Sequence, residues 1–252
     1  MKFVDVHAHM TDKSFDLDRE SVIEQAIKAG AVHIITNATN YEDGMLSLAL
    51  AQKHPSVRVA LGIYPDETLK LSETEFSTQL KWIATQKNSI IAIGEIGLDY
   101  KWTKEEEKRE IQKKRFIQQL HLAKKMKKPV IIHSRNAERE VVDILIQEEM
   151  PRVVMHCFCG RHSIVKDAIK HKFHFSIPPK VVNDSQFEEL VKIIPIDRLL
   201  TETDSPYLHY ERGERNEPKY IRETIKKIAE IKKMDENEVA NILFFNYKKL
   251  FS

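Results

Sequence analysis

Short apolar, β-branched runs separated by longer amphipathic stretches recur along the whole 252-residue chain. The runs are FVDVHAH, HIITNAT, VRVALGIYP, IIAIGEIGLD, PVIIHSR, RVVMHCF, FHFSIPP and RLLTETDSP. Segments such as DRESVIEQAIKAG and EEEKREIQKKRFIQQLHLAKKMKK lie between them and read as helices with solvated outer faces. Two more helical stretches, KYIRETIKKIAEIKK and DENEVANILFFNYKKLF, close the chain. Eight strands alternating with helices over this length predict an α/β fold of the TIM-type (β/α)8 barrel class. A doubly wound open sheet is the alternative that the same rhythm allows. No Pro/Gly-rich linker or low-complexity segment interrupts the rhythm, so one barrel domain over residues 1–252 is expected.

Charge does little to choose a partner. Lys and Arg number 40 against 38 Asp and Glu, a formal net charge of +2, which neither demands a nucleic acid nor excludes one with a local basic rim. Cys157 and Cys159 are one residue apart and poorly placed to bridge each other, so free thiols and a reducing compartment are expected. No signal-type segment precedes the first strand, and no apolar run approaches a membrane span. A cytoplasmic location without a membrane partner follows as the expectation.

Position carries more information. In a barrel of this kind the chemistry gathers at the C-terminal ends of the strands. The first run ends in His7 and His9, the fourth carries Glu95, the fifth ends in His133, the sixth in His156 and the eighth in Asp204. Each has a bland reading: a lone histidine there is usually a packed rim residue, Glu95 a salt-bridge partner, and Asp-Ser-Pro good turn chemistry. Together they are harder to dismiss, because several ionisable groups in one barrel mouth are costly unless they pair or bind metal. Side chains two apart on a strand point to one face, so His7 and His9 can present both imidazoles to one cation. Asp5 lies one step deeper on that face. It reads as a support behind the ligands, accepting a histidine N–H, with a ligand or a buried structural carboxylate as the other readings. Four histidines and two carboxylates exceed one tetrahedral site and suit two metals that share a carboxylate. Glu95 is the expected bridge, since IAIGEIGLD offers no lysine there.

With these residues assembled, the chain resembles the TatD family of metal-dependent deoxyribonucleases nearly end to end. DVHAH, GEIGLDY, PVIIHSR, HCFCG, TETDSPYL, RNEP and NYKKLF carry the likeness. The resemblance implies a TIM-type barrel with two divalent ions, magnesium, manganese or zinc. His7, His9, Glu95 and Asp204 would hold one, and Glu95, His133 and His156 the other. It also implies hydrolysis of DNA phosphodiesters, in several members as a 3′-to-5′ exonuclease. Some relatives instead remove misattached amino acids from tRNA. Two departures stand out: Tyr64 occupies the place of a common histidine in GIYP, and Lys101-Trp102 follows GLDY where an arginine is common.

The expected mechanism is attack on phosphorus by a hydroxide that two metals activate, with Asp204 and Glu95 as catalytic residues and Asp204 as proton acceptor. Arg135, two residues beyond His133, is the expected phosphate contact, with Tyr64 beside it. Arg215 and Asn216 in the basic loop ERGERNEP are expected to hold the nucleic-acid backbone. Lys101 and Lys180 would extend a basic rim, and Trp102 and Tyr100 would stack on bases. The expected partner is DNA presenting a single-stranded end. An amidohydrolase or aminoacyl-tRNA deacylase on the same barrel is the competing enzyme reading, and a non-catalytic binding module the third.

Overall fold

The apolar runs form eight strands: β1 (Phe3–Ala8), β2 (Ala31–Asn37), β3 (Val57–Leu61), β4 (Ala92–Asp99), β5 (Val130–Arg135), β6 (Val153–Met155), β7 (His174–Ile177) and β8 (Leu199–Thr201). The structure is a computed structural model and describes residues 1–252. Neighbouring strands are parallel and follow chain order from β1 to β8. The seam between β8 and β1 is stitched by Asp204 N–H to His7 O (2.8 Å), His9 N–H to Ser205 O (2.8 Å) and Thr201 Oγ1 to Val4 O (2.7 Å). The sheet is therefore a nearly closed barrel, and the open-sheet alternative is set aside.

The helices are α1 (Arg19–Ala29), α2 (Tyr41–Lys53), α3 (Pro65–Leu69), α4 (Glu73–Thr85), α5 (Glu106–Met126), α6 (Glu138–Gln147), α7 (His162–Lys170), α8 (Ser185–Ile193), α9 (Ile221–Lys232) and α10 (Glu236–Phe251). Several starts are written in the sequence. Asn40 and Asp235 cap α2 and α10, and Ser72 with Glu75 forms a capping box on α4. None is long and apolar enough to cross a membrane.

Two apolar layers result. Val4, Val6, Ile35, Ala92, Ile131, Val154 and Leu200, from six strands, pack together inside the barrel, with Tyr247 and Leu250 of α10 against them. A much larger layer lies between strands and helices. Helix α5 does more than cover it. Its buried Gln119 accepts from Ile63 N–H (2.8 Å) and donates to Ile63 O (3.1 Å), and Gln112 accepts from Asp99 N–H (3.1 Å). These amides satisfy backbone groups where β3 and β4 leave the sheet, which fixes the rim of the barrel mouth. Gly97, at φ +148°, lets β4 press against β5; a Cβ there would overlap the His133 carbonyl.

Candidate metal centre

Regular alternation brings part of the site to the barrel axis. His133 is two residues past the interior Ile131, His156 two past Val154, and Asp204 four past Leu200. His7 and Glu95 break that period, since Val6 and Ala92 are interior. The register of β1 against β2 slips between Asp5 and Ala8, and that of β4 against β5 slips between Ile93 and Ile96. These irregularities turn His7 and Glu95 inward, as β-bulges re-aim side chains beside active sites. Asp204, at φ +57°, holds a left-handed backbone that aspartate tolerates better than most residues.

Glu95 sits at the middle with its two oxygens divided. Oε2 faces His7 Nε2 (3.5 Å) and His9 Nε2 (3.7 Å), while Oε1 faces His133 Nδ1 (2.8 Å) and His156 Nε2 (3.7 Å). Asp204 Oδ1 lies 3.4 Å from His7 Nε2 and 3.3 Å from His9 Nε2. The two Nε2 atoms are 3.2 Å apart. A tetrahedral cation with ligand bonds of about 2.0–2.1 Å would set its donors roughly 3.3–3.4 Å apart, so these spacings suit one ion among His7, His9, Glu95 and Asp204. Two bare imidazole nitrogens facing each other at that distance need a shared proton or a cation between them. His133, His156 and Glu95 Oε1 form a second donor group. A third combination, His7 with His156 and Glu202, is a poor site: the two rings are stacked at 3.6 Å and 9°, so their in-plane lone pairs run parallel instead of converging.

Three of the four outer nitrogens are anchored, while the buried His7 Nδ1 has no partner. His133 Nε2–H donates to Asp99 Oδ2 (3.1 Å), His156 Nδ1–H to Glu202 Oε2 (2.8 Å) and His9 Nδ1–H to Asn37 O (3.0 Å). Each bond selects the tautomer that leaves the central nitrogen bare, as ligating histidines require. Sequence reasoning does not single out Asp99 or Glu202. A signal is present nonetheless, because Asp99 lies four residues beyond Glu95 and Glu202 two before Asp204.

Electrostatics match. Burial pushes the Glu95 carboxyl up, but the imidazoles of His7 and His133 outweigh it and hold it well below the usual range. Asp204 is likewise lowered, with His156, His7 and His9 overriding burial. Burial disfavours the His133 cation, yet Asp99 and Glu95 lift it to about 9. In the metal-free protein a proton therefore occupies His133 at neutral pH and competes with any cation. Apparent cation affinity is expected to fall by up to about tenfold per pH unit below roughly pH 9, measured by calorimetry on the chelator-stripped protein. A flat affinity between pH 6 and 9 would contradict this.

Several expectations need correction. Asp5 holds no histidine ring. Its Oδ1 accepts from His7 N–H (3.2 Å) and Thr203 N–H (2.9 Å), and its Oδ2 from Thr203 Oγ1 (2.5 Å), so it ties β1 to the end of β8. Arg215 is not free for a phosphate: it donates to Asp18 (2.9 and 2.6 Å) and Glu217 (2.9 Å) and covers the Phe15 ring. Asn216 is fully buried and donates Nδ2–H to Thr203 O (2.7 Å), bracing the segment that carries Asp204. Tyr100 is buried, with its hydroxyl on Glu140 and Arg109 over its ring, so neither face is open to a base.

Tyr64 and Arg135 do line the cleft above the donors, which measures about 900 Å3. Tyr64 donates its hydroxyl proton to Asp99 Oδ2 (2.8 Å). Arg135 is half-exposed, its Nη1 3.5 Å from the same oxygen. Asp99 thus joins a candidate ligand, His133, to the candidate phosphate contact.

The family model described as TatD related DNase matches residues 4–252. The uncharacterized metal-dependent hydrolase YabD of Bacillus subtilis is 36% identical over 98% of this chain and 98% of its own. The human deoxyribonuclease TATDN3 is 32% identical over 98% of this chain and 94% of its own. Among solved structures, YjjV, a TatD homolog from Escherichia coli, superposes with a TM-score of 0.91 at 28% identity, covering 99% of this chain and 97% of that one.

Proposed function

The chain belongs to the TatD related DNase family and is a metal-dependent hydrolase, and we propose that it removes nucleotides from a single-stranded DNA end, as a 3′-to-5′ exonuclease, with two divalent cations. The division of the Glu95 carboxylate between two donor groups carries this reading. His7, His9, Asp204 and Glu95 Oε2 would hold one ion; His133, His156 and Glu95 Oε1 the other. Imidazole-rich donors suit zinc or manganese better than magnesium. When bound, such ions lower the pKa of a water and offset charge on the phosphoryl group.

The chain's own residues supply the rest. Asp204 stays ionised at working pH, and its contacts to the histidines run through Oδ1, which leaves Oδ2 to take the proton of the attacking water. Asp99 and Glu202 hold the rings of His133 and His156 against rotation. Arg135 is placed to donate to a phosphate oxygen, with Asp99 steadying the guanidinium. Cys157 and the exposed Cys159 are free thiols, which fits the cytoplasm.

The test is chelator-stripped protein reloaded with magnesium, manganese or zinc and given 5′-labelled single- and double-stranded DNA. A ladder shortening one nucleotide at a time from the 3′ end is expected. No cleavage with any divalent ion, together with hydrolysis of an aminoacyl-tRNA, would replace this reading with the deacylase one.

A further inference from the structure

The rim of the candidate centre is electrically lopsided, and the two sides imply different tasks. On one side the turn after β4 carries Lys101, Trp102 and Lys104. Trp102 is 65% exposed, the most open aromatic ring in the chain, and Lys101 Nζ lies 4.9 Å over it. Neither lysine is in an ion pair with a carboxylate. Glu105, the nearest acidic residue in sequence, is occupied by Lys108 (3.1 Å). This turn is rigidly joined to the centre, because Lys101 N–H donates to Asp99 Oδ1 (2.9 Å) and Tyr100 N–H to Arg135 O (2.8 Å). Trp102 and the two lysines therefore follow directly on the segment that holds Asp99 and is tied to Arg135.

On the other side the cleft runs outward beneath α1 and α2. Its lining on this side carries five carboxylates, Asp12, Asp16 and Glu42 among them, against Lys13, Arg19 and Lys53. Arg19 and Asp16 pair with each other (2.6 Å), which leaves four carboxylates against Lys13 and Lys53 there. A phosphodiester laid along this arm would meet more carboxylates than cations. The turn on the opposite side has what a single strand needs: cations for phosphates and an open ring for a base.

We propose that the Lys101–Trp102–Lys104 turn, beside Arg135, and not the acid-rich arm of the cleft, is the track for the undigested part of a single nucleic-acid strand. This rests on the nuclease reading and adds to it the surface on which the strand lies.

The test compares chelator-stripped, metal-reloaded wild type with Lys101→Ala/Trp102→Ala and with Trp102→Phe. Substrates are a dinucleotide and a linear twelve-nucleotide strand. For wild type, kcat/KM should rise from the dinucleotide to the twelve-mer. In the double variant that rise should shrink by about tenfold, through KM, and the salt slope should flatten by about 0.7 for each phosphate that the variant no longer neutralises. Trp102→Phe, which keeps an aromatic face, should restore most of the rise. A double variant with the wild-type length profile overturns the proposal while leaving DNA hydrolysis standing. Failure of wild type to cut any DNA would instead remove the nuclease reading beneath it.

Discussion

Glu95→Gln is expected to lower kcat/KM by about 10^3-fold or more and to remove tight binding of both cations, because one side chain serves both donor groups. The amide keeps the volume of the carboxylate but loses its charge and offers one acceptor oxygen in place of two. Either His7 and His9 or His133 and His156 must then face an amide N–H where a ligand oxygen stood. The loss of charge has its own effect. Glu95 is almost fully buried among four imidazoles, and its ionised form helps lift His7, together with Asp204, and His133, together with Asp99. In the metal-free variant those histidines should titrate lower, which NMR of the imidazole protons can follow. Calorimetry on stripped protein should register two cations for wild type and none of comparable affinity for the variant. Full activity in Glu95→Gln after stripping and reloading would refute the shared-carboxylate arrangement.

The same residue marks where sequence reading reaches its limit. The barrel is legible because eight apolar runs alternating with helices have few other packings. His133, His156 and Asp204 follow the two-residue period from interior aliphatic residues, so their inward placement can be counted off. His7 and Glu95 cannot be reached that way. Their strands slip register beside them, and a slip is a property of two paired strands that one strand's sequence does not contain. Asp5 misleads for the same reason, since strict alternation puts it on the face of His7, whereas it reaches across the seam to Thr203. Arg215 misleads differently. A basic loop looks free to grip phosphate until its partner is known, and Asp18 lies nearly the whole chain away. Asp99 and Glu202 are visible at even spacing from Glu95 and Asp204 but carry no sequence-local sign of the imidazoles they hold.

Glu202 gives the second large effect, and it separates support from ligation. The carboxylate is fully buried and accepts three hydrogen bonds: His156 Nδ1–H (2.8 Å), Cys157 N–H (2.8 Å) and Ser176 Oγ–H (2.6 Å). Glu202→Ala leaves an imidazole, a backbone amide and a hydroxyl without partners in the interior, at about 1–3 kcal/mol each. A loss of several kcal/mol in urea unfolding is therefore expected, which a domain with a typical margin of about 5–15 kcal/mol can only just carry. Glu202→Gln is the cleaner probe. It keeps the volume and one acceptor, but its NH2 must point at a donor, and His156 is free to adopt the tautomer that puts a proton on Nε2. Cation affinity at the His133–His156 side should fall about 10–100-fold, while the His7–His9 side keeps its own donors. Two-step calorimetric titration distinguishes the outcomes: one step weakened and the other retained is the expected pattern. If both steps weaken equally, His156 serves the two donor groups jointly and the division drawn at Glu95 is wrong; if neither moves, Glu202 supports the fold alone.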